Sequence, residues 1–295
     1  MAADISIVPS YHIDKNKWDE CVEGSSSPLI YATTAVLDHL ADNWKGIVMN
    51  DYEAVMPVPW RRKWGVTYHY HVPFVQQLGI FFHNELTEIS PFTEALFTIC
   101  RYGNYPFNYA NPVAGTQHTN YILPMKDGYK NGFAADVVQN IRRAEQFNHS
   151  YAHAHVNEAI DVFYKSYGKR SGITENDIER FRKMCFFIGK TGKIVVRKVI
   201  GNNRNLLAIA LLLIDRNRMY NIMNTTLDEG RQQEANYFLL SEIWREFAGK
   251  GLLFDFEGSD IPGIKTFYKK FGALDQPYVR MHFNHLPWPM KKLMK

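Results

Sequence analysis

Between residues 192 and 225, three strand-like runs rich in branched side chains, GKIVVRKVI (192–200), NLLAIALLLI (205–214) and RMYNIMNT (218–225), are separated by only four and three residues. Connections as short and polar as Gly201-Asn202-Asn203-Arg204 and Asp215-Arg216-Asn217 suit hairpin turns. The three runs therefore read as antiparallel neighbours in one sheet. After them the apolar period lengthens. Ala235, Phe238, Leu239, Ile243 and Phe247 fall on one face of a helix between Gln233 and Ala248, and Gly249 and Gly251 end it. LLFDFEG (252–258) reads as a short buried strand. Asp260 is a plausible N-cap and Pro262 is tolerated in the first turn of a second helix, which stops at Gly272. YVRMHF (278–283) is a last strand, and helical segments near 157–168 and 174–187 precede the meander. The order β-β-β-α-β-α-β predicts an α/β (α+β) fold, a mixed, mostly antiparallel sheet flanked by helices.

The first half echoes this order more faintly. A strand at 4–8 and helices near 14–22 and 33–42 lead to strands at 45–50 and 53–59, then to alternating VTYHYHVPF (66–74), LGIFF (78–82) and a helix at 91–102. FNYAN (107–111) stands where FDFEG (254–258) stands in the second half. Two copies of one unit follow, 1–148 and 149–295. The boundary is expected near Phe147 to Tyr151, after the helix carrying NIRRA (140–144).

Composition agrees: 46% hydrophobic and 22% charged residues in a 295-residue chain allow two domains and exclude a mainly disordered one. A net charge of +4 is too mild for a nucleic-acid coat but suits an anionic ligand. Cys21, Cys100 and Cys185 are too scattered for a disulfide framework or zinc site. His69 with His71, and His153 with His155, share faces without an evident third ligand, so no metal is expected. MAADISIVPS lacks the features of a signal peptide, and the longest apolar run, Leu206 to Ile214, falls far short of the roughly 20 residues that span a bilayer. A cytoplasmic chain without a membrane span is expected, and the sequence carries no signal for its oligomeric state.

The C-terminal order resembles the GCN5-related N-acetyltransferase (GNAT) fold. Phe267-Tyr268-Lys269-Lys270-Phe271-Gly272-Ala273 is similar to that family's aromatic-Tyr-x-Lys-x-Gly-aromatic helix end, with Ala273 in place of the last aromatic. NIRRA, FDFEGSDIPGIKTFYKKFGA (254–273) and the tandem layout resemble more specifically the FemABX peptidyltransferase relatives, double-domain members that move an amino acid from aminoacyl-tRNA onto a cell-wall precursor. The resemblance implies two tandem acyltransferase-like domains and a tyrosine, Tyr268, that protonates the leaving group. It also implies a donor that is a substrate rather than a resident cofactor, acyl-coenzyme A or aminoacyl-tRNA. One departure bears on the donor. The acetyltransferases hold pyrophosphate on a glycine-rich turn before the central helix, where backbone N–H groups approach the phosphates. Here Asp228-Glu229-Gly230-Arg231-Gln232-Gln233-Glu234-Ala235-Asn236 has a single, displaced glycine, and the FemABX relatives lack the turn too.

Acyl transfer to an amine needs a held carbonyl, a proton for the leaving group and a neutral amine. In this fold the strands at 219–224 and 252–257 would part and expose backbone N–H groups, with Tyr268 facing the gap. Asp255 and Glu257, spaced by two, would share a face of their strand and accept the amine's proton or bind its ammonium, with Phe254 and Phe256 on the other face. Asn224, Thr225, Arg231, Gln232, Gln233, Asn236 and Lys269 are candidates for donor binding; Arg61, Arg62, Gln76, Arg142 and Arg143 for acceptor binding. For each there is a structural alternative: Tyr268 packed beside Phe267 and Phe271, the acids in ion pairs, Trp60 to Trp64 as a surface hairpin, the arginines on solvated faces. A tRNA donor needs a basic surface, for which Lys265, Lys269, Lys270 and the Lys291-Lys292 tail are candidates. The acceptor would be a cell-wall precursor, an amino sugar or a small metabolite. The rival readings are a binding protein that keeps the fold without catalysis and an assembly protein using its aromatic surface.

Overall fold

The computed structural model describes residues 4–83, 88–288 and 290–293. Its contacts divide the chain into two compact units, one running up to His118 and resuming at Pro277, the other from Thr119 to Gln276. Unit one begins with β1 (Ile5–Pro9), α1 (Lys15–Gly24), α2 (Thr34–Leu40), β2 (Trp44–Met49) and β3 (Ala54–Pro59). It continues with β4 (Arg61–Lys63), β5 (Val66–Tyr68), β6 (Phe81–Phe82), α3 (Ser90–Ile99), β7 (Tyr102–Phe107) and β8 (Thr116–His118). Unit two holds β9 (Tyr121–Pro124), α4 (Ala135–Glu145), β10 (Ser150–His153), α5 (Val156–Phe163), α6 (Lys169–Ser171), α7 (Glu175–Gly189) and β11 (Ile194–Ile200). Then come β12 (Leu206–Ile214), β13 (Arg218–Thr226), α8 (Asp228–Gln232), α9 (Ala235–Phe247), β14 (Leu253–Asp255), α10 (Pro262–Lys270) and β15 (Leu274–Asp275). The chain returns to unit one as β16 (Tyr278–Asn284) and α11 (Met290–Leu293).

The meander forms as its short connections require: β11 pairs antiparallel with β12, and β12 with β13. β10 joins its outer edge, and the sheet of unit two has the order β10-β11-β12-β13-β14-β9-β15. Helix α9 crosses from β13 to the parallel β14 and buries Leu239, Leu240, Ile243 and Trp244. The Trp244 ring meets those of Phe254, Phe256 and Phe271 at 5.5, 5.9 and 5.0 Å. Phe254 and Phe256 therefore do share a face, the core face, and each buried ring contributes about 1.5–3 kcal/mol through apolar area removed from water. Left-handed Gly249 and Gly251 follow α9, and Gly272 ends α10 at φ +70, where a Cβ would meet the Gly132 carbonyl oxygen at 2.8 Å.

Several readings of the sequence are corrected. YVRMHF is a strand, but it does not complete the second unit's sheet. As β16 it lies between β7 and β8 in unit one, while β9 pairs with β14 in unit two. Periodicity identifies a strand and says nothing of a distant partner. The cut near Phe147 to Tyr151 consequently falls inside unit two, where α4 packs on α9. Only Val66–Tyr68 of the alternating 66–74 run is a strand, and β7 ends at Phe107, so Asn108 to Asn111 lie beyond it. Asp260 does not cap α10: its Oδ1 accepts from the Thr119 hydroxyl at 3.0 Å, and Ile261 occupies the N-cap position.

Candidate functional site

The sheet of unit two opens between β13 and β14. The two strands run parallel and pair only at Arg218↔Leu253, Met219↔Phe254 and Tyr220↔Asp255. From Asn221 onward β13 keeps β12 on one side and has no ladder partner on the other among the described residues. Strand β14 ends at Asp255. The parting is the one that the runs 219–224 and 252–257 suggest. Backbone N–H groups released from a ladder in this way need another acceptor, and a ligand carbonyl is a suitable one.

A cleft of about 410 Å³ occupies the opening. Strand β13 lines it with Asn221, Asn224 and Thr226, α8 with Arg231, the start of α9 with Glu234, Asn236 and Tyr237, and α10 with Phe267 and Tyr268; Tyr167 adds another ring. Asn221 is only 7% exposed, yet its Oδ1 has no hydrogen-bond partner among the described residues, and the same holds for Asn236 Oδ1. An unmade hydrogen bond at a buried amide costs about 1–3 kcal/mol, which a bound ligand carrying N–H or O–H groups would relieve.

The segment 228–236 shows what replaces the phosphate-binding turn. It folds into α8 and passes through left-handed Glu234 (φ +54) into α9. Gly230 serves packing: a Cβ there would lie 2.2 Å from the Leu207 carbonyl oxygen, so the glycine lets α8 press against β12. Arg231 is paired with Asp228, and Glu234 with Arg143 at 3.5 Å, so the charges at the helix start are compensated within the protein. Gln233 Oε1 lies 3.1 Å from His149 Nε2 and its amide donates to Glu229 at 3.0 Å, while Gln232 is exposed. Thr225 is buried with its hydroxyl unpartnered among the described residues, and like Gln232 and Gln233 it is outside the cleft lining.

Tyr268 stands in the cleft wall with its ring 4.5 Å from that of Phe256 and 5.9 Å from that of Tyr121. Burial first, then the charges of Glu257 and Asp255, raise its hydroxyl above the usual phenol range, so it carries its proton at neutral pH. Asp255 is fully buried and outside the lining. Its Oδ2 accepts from Arg218 Nη1 at 2.7 Å and Asn120 Nδ2 at 3.2 Å, and its Oδ1 from the Glu257 backbone N–H at 2.9 Å. Arg218 Nη2 donates to Gln276 Oε1 at 3.0 Å. The expectation that Asp255 and Glu257 share a strand face fails because β14 ends at Asp255 and Glu257 turns into the left-handed region at φ +65.

Lys269 bonds outward to Asp275 at 3.3 Å, and Arg142 is exposed on α4. In unit one, Arg61 pairs with Asp42 and lies 3.9 Å over the Tyr70 ring, Arg62 is exposed on the β4–β5 hairpin, and Gln76 Oε1 accepts from Gln77 at 2.7 Å. The structure thus gathers Asn224, Arg231, Asn236 and Tyr268 at one cleft. It adds Asn221, Glu234, Tyr237 and Tyr167, none of which the sequence reading singles out. A signal existed for Asn221, a lone amide in the otherwise apolar run MYNIM (219–223).

No known family model matches this chain, and no curated protein matches its sequence. Solved structures do. The crystal structure of FemX aligns over 100% of both chains with a TM-score of 0.68 at 12% identity. A conserved protein of unknown function from Bacteroides thetaiotaomicron VPI-5482 covers 92% of this chain and 97% of its own, with a TM-score of 0.62 at 10% identity. A tandem GNAT protein from the clavulanic acid biosynthesis pathway covers 96% of this chain and 99% of its own, with a TM-score of 0.58 at 10% identity. At such identities the likeness is one of fold: this chain has the tandem GNAT-like fold of the FemABX type.

Proposed function

We propose that this chain transfers an acyl or aminoacyl group to an amine in the cleft of unit two. One observation carries the reading: β13 and β14 part beside a protonated, cleft-lining Tyr268. In the proposed reaction the donor's carbonyl oxygen rests against backbone N–H groups of β13 beyond Tyr220. The neutral amine attacks the carbonyl carbon, and Tyr268 gives its proton to the departing oxygen or sulfur. Glu234, which lines the cleft, would take the proton the amine sheds, with Glu257, outside the lining, as the alternative. Asp255 acts here only by position, its ion pair with Arg218 pinning the two strands where they begin to diverge.

Aminoacyl-tRNA is the better-supported donor. The compensated Arg231 and the packing role of Gly230 leave little to hold a pyrophosphate, whereas the fold is that of FemX. On α10, Lys265, Lys269 and Lys270 are paired with Asp260, Asp275 and Asp136. Such exposed pairs are worth about 0–1 kcal/mol each and exchange readily for a phosphate. The acceptor would be an amine of a cell-wall precursor, an amino sugar or a small metabolite, with Arg142 and Arg143, both outside the cleft lining, as candidates for its anionic part. None of the described helices is long and apolar enough to cross a membrane.

The test is a thermal-stability panel of coenzyme A, acyl-coenzyme A, and deacylated and aminoacylated tRNA, followed by turnover with the donor that binds. A specific ligand at 100 times its dissociation constant stabilises by about 2.7 kcal/mol. Tyr268→Phe is expected to lower turnover about 100-fold or more without changing donor affinity. If no donor shifts the midpoint, the reading gives way to a binding protein that keeps the fold.

A further inference from the structure

We propose that the C-terminal end of α7 is a docking site for an anionic lipid surface. Phe186 and Phe187 are 73% and 54% exposed, next to each other on a helix whose opposite face, Ile178, Phe181, Met184, Cys185 and Ile188, is buried. The fold does not need these two rings, since the core side of α7 is complete without them. Two aromatic rings exposed on neighbouring residues cost solubility, and an interaction surface is one reason for a chain to carry them there.

The charges say what that cover is. Residues 180–193 carry five cations and no carboxylate; of the five, Arg182 is paired with Asp161 on α5 and with Glu179, while Lys183 and Lys190 are exposed beside the rings. Exposed Lys183 lies one turn before the rings, and exposed Lys190 one turn after them with its ammonium 4.8 Å over the Phe186 ring. The acids Glu175, Asp177 and Glu179 are confined to the other end of the helix. The Lys193 carbonyl accepts from the Ile214 N–H at 2.8 Å, which brings the 215–217 turn and its exposed Arg216 alongside Lys193. Attraction of lysines to the negative end of the helix accounts for a cation such as Lys190. It does not account for two apolar rings between cations. Rings that enter the acyl boundary while lysines reach up to phosphate is the arrangement that an interfacial segment adopts. With only two rings the attachment is reversible.

The proposal is independent of the donor and of transferase activity. It is tested by co-sedimenting the full chain with vesicles of phosphatidylcholine containing about one third phosphatidylglycerol, beside vesicles of phosphatidylcholine alone. Binding is expected only to the anionic vesicles, and it should weaken with added salt. Phe186→Gln with Phe187→Gln should lower the partition coefficient at least about tenfold, given the area each ring buries. Lys183→Gln and Lys190→Gln should each lower it about fivefold. Phe186→Trp with Phe187→Trp, which keeps the apolar area, should bind as well as the natural chain and exclude damage at this site as the cause. Three results would overturn the proposal: a natural chain that stays in the supernatant, a double glutamine variant that binds unchanged, or self-association without lipid that the glutamine pair abolishes while vesicle binding is absent.

Discussion

Each unit contains a fork where parallel backbones part, and the two forks are finished differently. In unit one the Leu78 N–H donates to the Pro106 carbonyl at 2.7 Å and Leu78 bridges Phe107 in parallel, after which the chains diverge. Side-chain amides close that divergence. Asn111 accepts from the Ile80 N–H at 2.8 Å and donates to the Ile80 carbonyl at 3.1 Å, and Gln77 Oε1 accepts from the Tyr109 N–H at 3.0 Å. Gly79, at φ +110, makes room: a Cβ there would lie 2.2 Å from Asn111 Oδ1 and 2.8 Å from the Asn108 backbone nitrogen. In unit two the corresponding fork keeps a cleft, and the amide oxygens of Asn221 and Asn236 have no partner among the described residues. One kind of fork is thus closed where its amides are satisfied and open as a candidate site where they are not.

The contrast is broken most forcefully at the pair that pins the open fork. Arg218→Ala leaves the fully buried Asp255 without its ion partner and should cost about 3–5 kcal/mol in denaturant unfolding. Replacing both, Arg218→Met with Asp255→Leu, should recover most of that loss. If Arg218→Ala costs less than about 1 kcal/mol, the pair does not hold the fork. The closed unit has its own signature in pH. His69 is 4% exposed, and burial foremost holds its imidazole down at about 4, against 6.5 as its ordinary value. Its Nδ1 lies 2.9 Å from the Pro59 carbonyl oxygen, and its buried Nε2 has no partner among the described residues. Between those pH values the unfolded chain takes up a proton that the folded one refuses. The stability from neutral His69 is therefore complete above pH 6.5 and is lost as pH falls towards 4, by about 3 kcal/mol. Unfolding titrations should show that slope; desolvation holds the neighbouring His71 down to about 4 as well, so His69→Gln should remove the His69 share and adding His71→Gln the rest.

The forks also mark the limit of what could be read in advance. The meander, α9, α10 and the run of glycines after them were legible because they rest on local signals, namely hairpin length, helical period and positive φ. The placement of β16 and β9 was not, because exchange of strands between stretches of chain more than a hundred residues apart leaves no periodic trace. Tyr268, Asn224, Arg231 and Asn236 were legible as chemistry carried on recognisable elements. Asp255 was legible as a buried acid in need of a partner, yet the partner, Arg218, is set by the register of two parallel strands. Glu257 was misplaced because alternation was extended one step past a strand that stops at Asp255. Gly230 reads in sequence only as a glycine displaced from where a phosphate turn would need it, and the Leu207 carbonyl beside it reveals a packing residue.

The remaining predictions set one fork directly against the other. Asn111→Ala strips two hydrogen bonds from buried Ile80 backbone groups and should destabilise unit one by about 2 kcal/mol. Asn221→Ala removes an amide oxygen that already lacks a partner, so the unliganded protein should change by no more than about 0.5 kcal/mol. Its effect should appear on binding instead, as roughly a tenfold weaker donor, the worth of one hydrogen bond that the ligand no longer makes. Thermal midpoints of both variants with and without donor separate the cases, since a purely structural amide lowers both midpoints together. If Asn221→Ala proves as damaging as Asn111→Ala without ligand, the open fork is a packing feature like the closed one, and the catalytic centre must be sought elsewhere than between β13 and β14.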